Sequence, residues 1–108
     1  MDKIEKEMLE KSEKIYLNDV DTAFDHIIAK NNAWYLVNLL GGAYNYAEAD
    51  YLAKKVIGVF GKDIIHPEFE EVSEDLQFFW SAFKSRFENT YYEEKMKADY
   101  GDILKQLD

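Results

Sequence analysis

The chain contains no cysteine, so thiol nucleophiles, disulfides and thiolate metal sites are excluded at the outset. Its two histidines are His26 and His66. His26 shares a segment with Asp21 and Asp25, and a small metal or acid–base cluster could be drawn there. The helical zinc pattern H-E-x-x-H is missing, however, and one histidine among solvated carboxylates is an ordinary surface arrangement. His66-Pro67 reads as a turn; an imidazole there could titrate near neutral pH, but the sequence names no partner for it. Ser12, Ser73, Ser81 and Ser85 sit in no nucleophile motif, and Ser73 reads as a cap or surface residue. Gly41-Gly42 lacks the spacing and the Lys-Ser/Thr of a phosphate loop. These residues predict no catalytic centre, no bound metal and no cofactor.

The chemistry that remains is charge and aromatic surface. The formal net charge is −9 over 108 residues, a sign that repels nucleic-acid phosphates and attracts basic surfaces. From Asp63 to Asp75 the chain carries six carboxylates, including Glu68, Glu70, Glu71, Glu74 and Asp75, and no Lys or Arg. A helix N-terminus stabilises nearby acids by about 0.3–1 kcal/mol each, which accounts for one or two of them. The surplus is expected either to be a solvated helix start or to present negative charge to a basic cleft. Downstream, Phe78, Ala82, Ser85, Asn89 and Tyr92 fall at helical spacing on a face of their own, and Tyr91-Tyr92-Glu93-Glu94 extends it. Burial under another helix would explain that face, and so would a partner, since tyrosine combines large contact area with a hydrogen-bonding tip. Leu52 to Val59 faintly echoes a DNA-binding helix-turn-helix. The segment after it is acidic where a recognition helix should be basic.

Positioning such residues requires helices. The hydrophobic period is close to 3.6 throughout, with one proline, Pro67, and five glycines. A first segment, Lys3 to about Leu17, carries Ile4, Met8 and Ile15 on one stripe, with Glu7–Lys11 and Glu10–Lys14 spaced for i,i+4 pairing. Asn18-Asp19 offers a stop and a new N-cap before a second segment, Val20 to about Lys30. After a break at Asn31-Asn32, Ala33 to Leu40 is apolar nearly all round, which predicts a central helix. Gly41-Gly42 supplies positive-φ positions to end it. A fourth segment runs from Tyr44 to about Phe60, with Gly58 and Gly61 weakening its end and Gly61-Lys62-Asp63 reading as a turn; Ala47, Ala49 and Ala53 would admit a close neighbour. From Pro67 one long pattern reaches about Ala98, with Phe69, Val72, Leu76, Phe79, Trp80, Phe83 and Phe87 on a single stripe. A short last segment, Asp102 to Leu107, can dock Ile103, Leu104 and Leu107.

The expected fold is all-α: one helical domain over residues 1–108, a compact bundle of four to six helices with a long amphipathic C-terminal helix. No apolar segment reaches the roughly 20 residues of a membrane span, and no secretory signal opens the chain, so a cytoplasmic location is expected. The expected function is protein binding without catalysis: an acidic inhibitor that covers a basic, nucleic-acid-binding site on a nuclease or similar protein, without contacting nucleic acid itself. In type of molecule, though in no shared motif, this is the manner of anti-CRISPR and other anti-defence proteins of phages and mobile elements. Glu68, Glu70, Glu71, Glu74 and Asp75 would supply charge, and Phe78, Tyr91 and Tyr92 the anchors. An immunity protein that neutralises a toxin would use the same complementarity. A structural subunit pairing as a homodimer through its amphipathic helices is the third expectation.

Overall fold

The computed structural model describes residues 3–30, 35–65 and 70–107, with the side chains of all of these except 26–30 and 71. Helix α1 runs unbroken over Lys3–Lys30, where two segments were expected. Asn18 and Asp19 are exposed within it and interrupt nothing. A mid-helix Asn or Asp costs at most about 0.7 kcal/mol against alanine, whereas each large apolar side chain buried contributes about 1.5–3 kcal/mol. Tyr16, Val20 and Phe24, four residues apart, are all buried, and they carry the helix through the polar pair. The first glycine of the chain is Gly41, so nothing upstream forces a break.

Helix α2 covers Leu36–Gly42. The expected break at Asn31-Asn32, and Ala33 and Trp34 at the start of the expected central helix, lie outside the described residues. Gly41 and Gly42 do not end α2 through positive φ; the only described glycine with positive φ is Gly61, at 78°. Ala43 instead leaves α2 in an extended conformation. The Arg86 guanidinium reaches across from α4 and donates to the carbonyls of Leu40 and Ala43. Helix α3, Tyr46–Phe60, opens on Asn45, whose side chain accepts from the Glu48 N–H at 3.0 Å. The buried Glu48 carboxylate accepts in turn from the Tyr44 N–H at 3.2 Å, a variant of the capping box. Gly61 closes α3 as expected. Ala49 and Ala53 are buried in the core, whereas Ala47 is exposed.

The expected long C-terminal helix is two. Helix α4 spans Glu70–Phe87 and α5 spans Glu93–Leu104, followed by a 3-10 turn, Lys105–Leu107. Asn89 takes a φ of 62°, a left-handed conformation that asparagine tolerates better than most residues. The Thr90 hydroxyl donates to the Phe87 carbonyl at 2.6 Å and accepts from the Tyr92 N–H at 3.1 Å. These contacts fold the chain back so that α5 lies along α4.

The core is aromatic and centred on α4. Val72, Leu76, Phe79, Trp80, Phe83 and Phe87 are all buried, as their spacing predicts; Phe69 lies outside the described residues. Phe83 lies 5.6 Å from Trp80, 5.2 Å from Phe87 and 5.2 Å from Tyr100, ring centre to ring centre. Helices α2 and α5 flank α4, and α3 joins α2 to α1. Ile103 and Leu104 are buried in the docked C-terminal segment. Ser73, read as a cap or surface residue, is buried within α4. No helix among the described residues is long and apolar enough to cross a membrane.

Candidate partner-binding face

Helix α4 has one apolar and one polar side. Glu70, Glu74 and Phe78 recur every fourth residue opposite the buried stripe, and Ser81 and Ser85 continue the same outward side. Glu70 and Glu74 are exposed, and neither makes an ion pair with a described residue. Some acids elsewhere in the bundle are paired. Lys54 lies 3.0 Å from Asp50, Lys95 3.2 Å from Asp99, and Lys55 2.9 Å from Asp21. Among the described residues the acidic start of α4 has no basic neighbour in ion-pair contact, and the helix macrodipole favours the acids of its first turn. Asp75 is half-buried and engaged. Glu68 lies outside the described residues; the Glu71 backbone belongs to α4, but its side chain lies outside them too.

Next to these carboxylates stands Phe78, with 66% of its surface exposed. A benzyl group in water one and two turns along from two carboxylates that pair with no described residue gives the face an apolar patch with a charged end. The five-residue face drawn from the sequence, Phe78, Ala82, Ser85, Asn89 and Tyr92, does not hold together, because α4 ends at Phe87. Ala82 packs against the core, Asn89 forms the turn, and Tyr92 stacks on Tyr46 at 5.2 Å with ring planes 9° apart. Tyr91 is 93% exposed and leans edge-on against Tyr92, 5.3 Å away. Tyr92 thus anchors the turn to the body, and Tyr91 projects from it. Glu93 opens α5, 3.8 Å from Lys97.

The His26 side chain, His66 and Pro67 lie outside the described residues. Asp21, from the same suggested cluster, is taken up by Lys55 and by the Tyr51 hydroxyl at 2.8 Å. Those two contacts hold its carboxyl below the usual range and tie α1 to α3. No group of three potential metal ligands occurs among the described residues. The Leu52–Val59 segment lies wholly inside α3, with no turn in it.

Sequence reasoning missed a second polar arrangement. The Tyr46 hydroxyl of α3 donates to Asp99 of α5 at 3.0 Å, and the Tyr100 hydroxyl of α5 donates to Asp50 of α3. Burial first, and these carboxylates second, push both phenols well above their ordinary range, so both stay neutral near pH 7 and act as hydrogen-bond donors. Tyr16 is raised by burial and by nearby Glu48, and its hydroxyl donates to the Leu39 carbonyl at 2.9 Å. No periodicity could have paired Tyr46 with Asp99 across 53 residues. The Asn45-x-x-Glu48 cap was missed as well, the fourth segment being started at Tyr44, although its spacing is a local pattern.

This chain matches no known protein family, no curated protein and no solved structure.

Proposed function

We propose that this protein works in the cytoplasm by binding, not catalysis, and that it inhibits a partner by covering a basic, nucleic-acid-binding surface. Its target would be a nuclease or a similar protein, as for small anti-defence inhibitors. The observation that supports this reading is Phe78, exposed on the same side of α4 as Glu70 and Glu74, which make no ion pair with a described residue. An exposed ring is suited to fill a partner's pocket, and acids on the same side are suited to meet lysines and arginines. The charge of −9 adds long-range steering toward a basic partner and away from free nucleic acid. Tyr91, projecting from the α4–α5 turn, supplies a second anchor.

A tagged pull-down from host lysate at low and high salt, read by mass spectrometry, tests the proposal. The expected result is a stoichiometric basic protein retained at low salt and lost at high salt, as screening of exposed charges requires. The Glu70→Lys, Glu74→Lys double variant should slow association with it by about tenfold or more, and Phe78→Ser should accelerate dissociation. Phe78→Ser should keep the wild-type melting temperature, and the double reversal should lower it by only a few degrees, the cost of lysine near a helix N-terminus. Binding unaffected by either variant would overturn the assignment of this face.

A further inference from the structure

Helix α1 has two apolar sides. Tyr16, Val20 and Phe24 face the bundle. Ile4, Met8 and Ile15, read from the sequence simply as a stripe, point the other way, with 69%, 67% and 55% of their surfaces exposed. At 100° per residue the two sets lie roughly 140° apart around the helix, and the outer stripe stays mostly in water, with Ile15 bordering a groove against Asn38, Leu39 and Gly42 of α2. Its positions 4, 8, 11 and 15 alternate steps of four and three, the 3.5-residue repeat of a two-helix seam. Lys11 fills the remaining place.

Charge identifies the occupant. Between Lys3 and Ile15 the helix carries four lysines and four glutamates, net zero, although the chain as a whole carries −9. This is a surface on which two copies of an acidic protein can meet without net repulsion. The expected intrahelical pairs Glu7–Lys11 and Glu10–Lys14 do not close. None of these four side chains makes an ion pair with a described residue, although i,i+4 pairs do close on α3 and α5. The order of charges also sets direction. A parallel pair would place Lys11 against Lys11. An antiparallel pair places Ile4 against Ile15 and Met8 against the alkyl stem of Lys11, and it brings Glu7 of each chain to Lys14 of the other.

We infer that α1 pairs antiparallel with α1 of a second copy through Ile4, Met8 and Ile15, in the register that joins Glu7 to Lys14 across the two-fold axis. The outward face of α4 takes no part, so the dimer stands or falls independently of the binding function proposed above.

Sedimentation equilibrium of the full chain, from roughly 10 to 500 µM, tests this. The expected result is concentration-dependent growth from one chain of 12.7 kDa to twice that mass. Ile15→Glu should leave only monomer, with the helical circular dichroism and melting temperature of dilute wild type. Glu7→Lys alone should weaken dimerisation by about tenfold, because it replaces two attractive contacts with two repulsive ones. Adding Lys14→Glu in the same chain should restore it. A single 12.7 kDa species at every concentration would overturn the inference. So would a dimer indifferent to Ile15→Glu, or one that Glu7→Lys weakens and Lys14→Glu fails to rescue.

Discussion

Asn89 and Arg86 show how much of this fold rests on single side chains. With a φ of 62°, Asn89 occupies a conformation that costs most L-residues about 1–2 kcal/mol. Asn89→Ala should therefore lower unfolding free energy by about 1 kcal/mol, whereas Asn89→Gly should stay within about 0.5 kcal/mol of wild type; urea unfolding distinguishes them. Arg86 is the chain's only arginine among twelve lysines. It forks onto two carbonyls at the C-terminal end of α2. Arg86→Met should cost about 1.5–3 kcal/mol by leaving those acceptors without a charged donor. Arg86→Lys should recover only part of that, because an ammonium lacks the planar fork.

Helices α3 and α5 hold each other through reciprocal phenol–carboxylate bonds, Tyr46 to Asp99 and Tyr100 to Asp50. Both phenols titrate above their unfolded value. A group whose folded pKa is raised contributes stability that is fully present below its unfolded pKa and is lost as pH rises beyond it. Unfolded tyrosine titrates near pH 10, so this contribution should be intact at pH 8 and should decline as pH climbs above about 10. Urea midpoints measured across that range should fall more steeply for wild type than for Tyr100→Phe, which has no proton to lose there. Equal slopes would show that the Tyr100–Asp50 half of the clasp contributes nothing to pH-dependent stability.

Across the whole molecule, aromatic side chains divide into those that build the core and those left in water. Phe83, fully buried against Trp80, Phe87 and Tyr100, belongs to the first group, and Phe83→Ala should cost about 3–5 kcal/mol. Phe78, five residues earlier on the same helix, belongs to the second. Phe78→Ala should change stability by less than about 0.5 kcal/mol. Thermal or urea unfolding of the two variants separates packing from surface. With a long axis of 50 Å and a radius of gyration of 14.5 Å, the molecule exceeds the roughly 13 Å expected for a compact chain of this length. Helix α1 contributes to this: at about 1.5 Å per residue its 28 residues extend about 42 Å.

Local pattern determined a good deal of this. The 3.6-residue period made the chain helical; the stripe from Val72 to Phe87 set the buried side of α4; Gly61 ended α3; and the lysine-free run from Asp63 to Asp75 marked the acidic start of α4. Each depends on neighbours within a few residues, whose preferences a sequence carries by itself. Tertiary structure decided which stripe was covered. Val20 and Phe24 went inward while Ile4, Met8 and Ile15 stayed in water, because periodicity shows that residues share a side and not what lies opposite it. Packing also overrode the weak stop at Asn18-Asp19. A left-handed asparagine and one threonine hydroxyl, too small a signal to stand out from a strong hydrophobic stripe, split the last long pattern at Asn89. The Tyr46–Asp99 and Tyr100–Asp50 bonds, and the reach of Arg86 to α2, join residues more than forty positions apart. Only the folded backbone brings them together.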